Sequence, residues 1–195
     1  MHIILLGNSN SGKTTIAKQL AYYGYVRVTP IDELKHHLEG VYGLEYGYLY
    51  TQKGKDYKPE GCNKSMRTIL VDLFNFFKVS DPYYSVRSLK VTLDKKSNIL
   101  KQNRTKRPIV LESIRTKMEI ETIIDYFAHR GEKVIFFHVQ SPHGISLQSD
   151  KHLSSNLEYV EKVLGYETIY NDHSKNPYQL MKEVIRITNE KANNE

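Results

Sequence analysis

Short apolar runs alternate along this chain with stretches in which apolar residues recur at helical spacing. The apolar runs predict strands at 3–6, 25–28, 108–111, 134–137 and 168–170. The helical spacing predicts helices at 14–22, 31–38, 65–77, 84–100, 118–127, 157–164 and 178–191. Buried strands that alternate with helices imply a parallel sheet covered on both faces. The pattern therefore predicts an α/β fold of three layers, in one domain over residues 1–195.

Two segments carry weaker structural signals. Residues 40–63 are rich in Gly and Tyr, and residues 141–153 are polar and typical of a loop. In sheets of this kind, ligands bind at the carboxyl ends of the strands. We therefore expect the chemistry of this protein to reside in the polar loops that follow the strands.

Charge and composition narrow the class of protein. The formal net charge is +6 and the pI is about 9.2, which suits nucleic-acid binding, the handling of small polyanions, or an ordinary lysine-rich surface. Nucleic acid is a possible partner that these numbers do not favour. Cys62 is the single cysteine, which fits a reducing cytoplasm. No apolar run approaches the roughly 20 residues of a membrane helix, and we expect a cytoplasmic protein.

One motif stands between the first strand and the first helix. Its eight residues fit G-x-x-x-x-G-K-[ST] without a gap: Gly7, Asn8, Ser9, Asn10, Ser11, Gly12, Lys13 and Thr14. Such a loop wraps a phosphate with its amides, and the positive end of the next helix faces the anion. Lys13 can bridge the outer phosphates, and the Thr14 hydroxyl is placed to coordinate Mg²⁺. We expect these residues, with Thr15, to bind a purine nucleotide.

The donor is expected to be ATP with magnesium, because no Asn-Lys-x-Asp signature for guanine follows. The motif alone does not separate kinases from other nucleotide hydrolases.

The third predicted strand ends in Glu112, with Arg115 three residues later. This strand is expected beside the P-loop strand, so Glu112 can orient metal-bound water. Arg115 can grip a phosphate with two hydrogen bonds. The alternatives are a helix-terminal role for Glu112 and a surface ion pair, with Glu119, for Arg115.

Several segments, in order, resemble the nucleoside monophosphate kinases, and most closely the deoxynucleoside monophosphate kinases of bacteriophages. They are the P-loop, Pro30 to Lys35, Val41-Tyr42-Gly43, Met66 to Leu70, Glu112 to Arg115 with Glu119, Ser149 to His152 with Ser154, and Ile169 to Asp172. The resemblance covers nearly the whole chain. It implies a parallel sheet of about five strands, an acceptor-binding insertion at about 30–105 and a lid at about 141–156.

The resemblance also implies roles for particular residues. Lys35, Arg67 and Arg115 would hold the acceptor monophosphate, with Tyr42 in the same acceptor region. Asn171 and the loop after it would contact the adenine of ATP. The lid contains no arginine, so Lys151 would serve the transferring phosphate there. Thr14 and Glu112 would hold the magnesium.

Tyrosines at 42, 46, 48 and 50 crowd the segment after the second strand. Their rings could stack on the acceptor base, or they could pack as a small satellite core. The neighbouring His36 and His37 are typical of a helix surface rather than a metal site.

Together these features predict transfer of the ATP γ-phosphate to a (deoxy)nucleoside monophosphate. Two alternatives stay open. One is a P-loop kinase that acts on a hydroxymethylated base, in a nucleotide or in DNA, with Glu112 as the base. The other is an ATP-binding switch or partner module with little turnover, which the lid without arginine favours. The sequence also leaves room for a homodimer.

Overall fold

A computed structural model describes residues 1–144, 152–172 and 174–194. The chain forms two compact units, the first made of Met1–Thr29 with Leu93–Glu195 and the second of Pro30–Thr92. No helix among the described residues is both long and apolar enough to cross a membrane.

The first unit contains a parallel sheet of five strands in the order β2-β3-β1-β4-β5. The strands are β1 (His2–Leu6), β2 (Val26–Val28), β3 (Ile109–Leu111), β4 (Val134–Gln140) and β5 (Glu167–Tyr170). Strand β1 is central and pairs with β3 on one side and with β4 on the other. The predicted fold class, and the position of the third strand beside the P-loop strand, are thus confirmed.

The helices of the first unit are α1 (Lys13–Tyr22), α6 (Lys117–Ala128), α7 (Leu153–Val163) and α8 (Pro177–Asn193). Ile3 and Leu5 of β1 belong to a buried core that includes Ile16 of α1 and Leu180 of α8. Side chains alternate between the two faces of a strand, so Ile4 and Leu6 lie on the other face, where they are also buried. On that face the His2 ring stacks on Phe127 of α6. Both faces of the sheet are therefore covered by helices.

Two helices of this unit begin with side-chain caps that the sequence carries locally. In α6, Thr116 and Glu119 form a capping box, and in α8, Asn176 and Gln179 form another, with Pro177 at the first turn. Helix α5 (Tyr84–Gln102) contains the residue at which the chain divides between the two units.

The second unit is helical. It comprises α2 (Asp32–Val41), a short 3-10 helix (Tyr48–Tyr50), α3 (Gln52–Asp56), α4 (Met66–Ser80) and the first part of α5. Its core is small and consists of Leu38, Leu49 and Met66, with partly buried leucines and Ile69 around them. The segment 40–63, which the sequence left as loop, therefore holds two short helices whose packing depends on Leu49.

Four predicted ends differ from the structure by three or four residues: α2 ends at Val41, α4 ends at Ser80, α7 begins at Leu153 and β4 ends at Gln140. Helix α7 begins at Leu153, four residues before the predicted start, because Leu153 continues the apolar spacing of Leu157 and Val160 through two serines of low helix propensity. The last part of the predicted lid is thus the first turn of α7. Strand β4 extends to Gln140, because Val139 pairs with Ile169 of β5 beyond the polar His138.

Candidate nucleotide-binding site

The P-loop connects β1 to α1 and is fixed at both ends by glycine. Gly7 has φ +143° and Gly12 has φ +99°, values that L side chains rarely adopt. A Cβ atom on Gly7 would overlap the carbonyl oxygen of Val139 in β4. A Cβ atom on Gly12 would overlap the amide of Asn171. The loop can therefore take this path only because neither residue has a side chain.

Lys13 is the first residue of α1, and its ammonium lies against the loop itself. The Nζ atom donates to the carbonyl oxygen of Gly7 at 2.7 Å and to that of Asn8. It also lies 3.4 Å from the hydroxyl of Ser11. The Lys13 ammonium, which the sequence assigned to the outer phosphates, is thus hydrogen-bonded to the P-loop itself.

Thr14 and Glu112 come together although 98 residues separate them in the chain. The Thr14 hydroxyl donates to Oε2 of Glu112 at 2.6 Å, and Glu112 is 0% exposed. This pair presents a hydroxyl and a carboxylate oxygen, the donor types that Mg²⁺ prefers. The two residues that the sequence assigned to the metal therefore fit a magnesium ion.

Arg27 completes this cluster, and the sequence analysis missed it. Its guanidinium forms an ion pair with Oε1 of Glu112 through both Nε and Nη2. The side chain stands on β2, a strand whose other residues are valines. A charged residue within a strand of a sheet buried on both faces was the signal that could have found it, because a buried charge needs a partner.

The loop between β3 and α6 carries Arg115 and is pinned by two buried polar side chains. Glu119 accepts hydrogen bonds from the backbone N–H groups of Arg115, at 2.7 Å, and Thr116, at 3.1 Å. Asn156 of α7 donates from Nδ2 to the carbonyl oxygen of Arg115 at 2.9 Å. Glu119 and Asn156 are 3% and 2% exposed. The carboxylate of Glu119 thus caps a helix, and the main chain of Arg115 is held at both its donor and its acceptor.

Asn171 follows β5 and packs against the P-loop. Its Nδ2 atom donates to the carbonyl oxygen of Ser11 at 3.0 Å, and its backbone N–H bonds to Gln140. The residue is 7% exposed. The side chain that the resemblance assigned to ATP therefore contacts the loop that would hold the phosphates.

A cleft of about 300 Å³ lies beside the P-loop at the carboxyl end of β4. It is lined by Asn8, Ser11, His138, Val139, Gln140 and Ser141. Burial, and then the nearby charge of Lys13, lower the pKa of His138, so its imidazole is neutral at physiological pH. The cleft therefore offers polar but uncharged groups. The turn after β4 adjoins the loop, since a Cβ on Gly144 would lie 3.6 Å from that of Asn8.

Lys35 lies within the second unit and is 4% exposed. Its Nζ atom stands 3.9 Å from the centre of the Tyr50 ring and 3.9 Å from Oδ1 of Asp32. The Tyr50 hydroxyl donates to the same Asp32 oxygen at 2.6 Å. Asp32 was not among the predicted site residues. Its place shortly after the carboxyl end of β2 was the signal that could have indicated it.

The remaining acceptor candidates of the second unit are more exposed. Arg67 forms an ion pair with Asp56 and a hydrogen bond with Gln52. Tyr42 is 36% exposed, and Tyr46 stacks on His36 with ring centres 4.4 Å apart. Lys151 lies outside the described residues.

No family model matches the chain, and no curated protein matches it either. Several solved structures match the chain. A putative kinase from Chloroflexus aurantiacus j-10-fl is 12% identical with a TM-score of 0.51, and the match covers 96% of this chain and 95% of that one. A gluconokinase from Sinorhizobium meliloti 1021 is 12% identical with a TM-score of 0.46, covering 99% and 94%. A dephospho-CoA kinase from Campylobacter jejuni is 15% identical with a TM-score of 0.42, covering 95% of each chain.

At such identities the likeness bears on the fold and not on the substrate. The sheet order and the P-loop agree with this likeness, so the chain shares its three-layer α/β fold with the putative kinase.

Proposed function

We propose that this protein transfers the γ-phosphate of ATP to a (deoxy)nucleoside monophosphate, giving the diphosphate and ADP. The observation that carries the proposal is the state of Glu112. Thr14 occupies one of its carboxylate oxygens and Arg27 the other. A hydroxyl acceptor must lose a proton to a base, whereas a phosphate acceptor is already an anion. A carboxylate engaged on both oxygens therefore supports an acceptor that needs no base.

The donor side rests on the P-loop. Its amides and the amino end of α1 would cradle the phosphates, and Lys13 would leave the loop carbonyls for the outer phosphates. Thr14 would bind Mg²⁺ through a lone pair of its hydroxyl oxygen, and Glu112 would orient metal-bound water. The ion would supply neutralisation of the charge on the donor phosphates. Lys151 of the lid is assigned to the transferring phosphate.

The acceptor side rests on Arg115, Lys35, Arg67 and Tyr42. These roles follow from the family resemblance, and the pinned backbone of Arg115 supports its part. An acceptor oxygen would attack the γ-phosphorus in line, and the bond to the oxygen between the β- and γ-phosphorus would break as ADP leaves. Positively charged groups serve such a reaction by positioning and by charge neutralisation.

A kinase acting on a hydroxymethylated base, in a nucleotide or in DNA, is the second candidate. Asp32 favours it, because this carboxylate is 3% exposed and follows the carboxyl end of β2 by four residues. In such a reaction Asp32, whose Oδ1 atom also accepts from the Tyr50 hydroxyl, would accept the proton of the acceptor hydroxyl.

A panel assay separates the candidates. ADP release is measured with each deoxynucleoside monophosphate, with hydroxymethylated nucleotides, and with duplex DNA that contains hydroxymethylated bases. Lys13→Ala protein serves as the control for contaminating kinases. We expect monophosphates to be the substrates and Asp32→Asn to retain turnover. Turnover with a hydroxyl acceptor only, abolished by Asp32→Asn, would establish the second candidate, and ATP binding without any acceptor would leave an ATP-dependent switch.

A further inference from the structure

Asn156 is a buried polar residue that belongs neither to the P-loop nor to the acceptor candidates. It lies in the first turn of α7 and is 2% exposed. Asparagine is a poor helix former, and burying its amide is costly without hydrogen bonds. Its contact with the carbonyl oxygen of Arg115, at 2.9 Å, joins groups 41 residues apart in the chain. The side chain therefore links α7 to the loop that carries Arg115.

That loop has little local structure to hold it. It leaves β3 through Ser113, whose φ of +64° is uncommon for a residue with a side chain. Glu119 satisfies the N–H group of Arg115, and Asn156 satisfies its carbonyl oxygen. With donor and acceptor both engaged, the peptide planes on either side of Arg115 are fixed, and so is the direction in which its side chain leaves the backbone.

We propose that Asn156 is a positioning residue that orients Arg115 toward the acceptor phosphate. The inference rests on the proposed function, because it requires Arg115 to act on the acceptor. A bidentate grip needs the guanidinium plane at a defined angle, and a small misplacement of a positioning group reduces the rate strongly. Asn156 provides the angle without touching the substrate.

The test compares two near-isosteric variants. Asn156→Leu removes the donor and leaves the Arg115 carbonyl unsatisfied, whereas Asn156→Asp sets an acceptor against an acceptor. We expect each to lower kcat/KM for the acceptor by about tenfold or more, with the Kd for ATP changed by less than about twofold. In Asn156→Leu, amide exchange at Arg115 and Thr116 should quicken by about tenfold, a readout independent of turnover.

Two control variants separate positioning from general stability. Thr188→Val also removes a buried side-chain hydrogen bond, the one to Val184 within α8. Lys117→Ala removes a different contact between α6 and α7, in which the Lys117 ammonium lies 4.5 Å from the centre of the Tyr159 ring. Both should leave acceptor kinetics within about twofold of wild type.

A double-mutant cycle completes the test. In the double variant, the fold-loss in kcat/KM for the acceptor should be much smaller than the product of the losses in Asn156→Leu and Arg115→Lys. Both changes act through the same guanidinium. Multiplicative effects, or normal acceptor kinetics of Asn156→Leu beside an impaired Arg115→Lys, would overturn the inference while the proposed function stands. Absence of monophosphate turnover in the wild type would instead overturn the proposed function, and the inference with it.

Discussion

At the scale of single residues, the proposed donor site includes an arginine of the sheet, Arg27. The side chains of Arg27 and Glu112 are 16% and 1% exposed, so their ion pair lies almost wholly away from water. A lone buried carboxylate would be strongly destabilising, and breaking such a pair typically costs about 3–5 kcal/mol. Arg27 therefore supplies the opposite charge that the buried side chain of Glu112 requires beside Thr14.

Lys13 provides the residue-scale test of the P-loop. Lys13→Ala should lower turnover by about 100-fold or more, because it removes a cation from the transferring phosphates. The melting temperature should fall by only about 2–4 °C, which corresponds to about 1 kcal/mol for the lost bonds to the loop. Turnover and thermal unfolding are measured on the same preparation.

The control for this test is Lys18→Ala, since Lys18 is an exposed lysine of the same helix. It should leave both turnover and melting temperature near wild type. Near-normal turnover of Lys13→Ala would remove the P-loop assignment.

Arg115→Lys tests the acceptor side at the same scale. Lysine keeps the charge but loses the planar fork, so kcat/KM for the acceptor should fall by about 10- to 100-fold, or roughly 1.5–3 kcal/mol. The Kd for ATP should change much less, because Lys13 and the loop amides bind it. The measurement varies the acceptor at saturating ATP, beside an ATP titration of the same variant. Unchanged acceptor kinetics would return Arg115 to the surface ion pair that the sequence left open.

At the scale of elements, the P-loop is held between the ends of two strands that follow far later in the chain. Gly7 lies against Val139 near the end of β4, and Gly12 lies against Asn171, which follows β5. The amide of Asn171 also bonds to the loop at Ser11. The loop is thus shaped by its neighbours as well as by its own glycines, which agrees with the preorganisation that phosphate binding requires.

Two glycines with nearly the same backbone angle separate the cost of backbone strain from the cost of overlap with a neighbouring side chain. Gly12 has φ +99° and meets Asn171, whereas Gly24 has φ +97° and has nothing within 4 Å of a Cβ. Gly24→Ala should cost only backbone strain, about 1–2 kcal/mol in the free energy of unfolding. Gly12→Ala should cost clearly more, because the new methyl group also displaces the amide. Urea denaturation of both variants measures the difference.

A third variant identifies the source of that difference. The double variant Gly12→Ala/Asn171→Ala lacks the overlapping amide. Its loss in the free energy of unfolding should therefore be smaller than the sum of the losses in the two single variants. Equal costs for the two glycine variants would show that backbone strain alone accounts for Gly12.

At the scale of the whole molecule, the central strand of the sheet begins with a partly buried histidine. Nδ1 of His2 accepts the backbone N–H of Ile109 at 3.0 Å, and Nε2 faces Glu132 at 3.3 Å. Burial first, and then the positive N-terminal amine, lower the pKa of His2 from 6.5 to about 4. Its neutral form is therefore part of the folded sheet, since a proton on Nδ1 would oppose the N–H of Ile109.

A histidine whose pKa falls on folding stabilises the protein above its unfolded pKa and loses that contribution as the pH falls. For His2 the loss begins near pH 6.5 and is complete below about pH 4, so between pH 7.5 and 5 it should amount to about 2 kcal/mol. The free energy of unfolding, measured in urea across this range, checks the prediction.

His2→Phe is the matched variant, because the His2 ring already stacks on Phe127 with centres 4.1 Å apart. The phenyl ring should keep this stacking but not titrate. The variant should be less stable at pH 7.5 and should lose less stability on acidification. If the free energy of unfolding of His2→Phe depends as steeply on pH as that of wild type, the loss of stability on acidification belongs to other groups, among them His138.

The sequence by itself determined the features that depend on neighbouring residues. Apolar spacing located all five strands, and the P-loop motif located the phosphate cradle, because strand formation and loop shape follow from local pattern and from glycine. The signal was weakest at 40–63, where the short helices are stabilised by the packing of Leu49 rather than by their own propensity. The onset of α7 was missed because two serines of low helix propensity follow Leu153.

The tertiary structure alone decided which distant residues meet. The pairs Arg27–Glu112, Asn156–Arg115 and Asn171–Ser11 are separated by 85, 41 and 160 residues. Their partners are selected by the strand order, which brings the carboxyl ends of all five parallel strands to one edge of the sheet. A local pattern does not specify such neighbours, because contacts of high sequence separation follow from how the elements assemble. The sequence thus named the P-loop and its candidate metal ligands, and the fold supplied the buried polar groups that hold them.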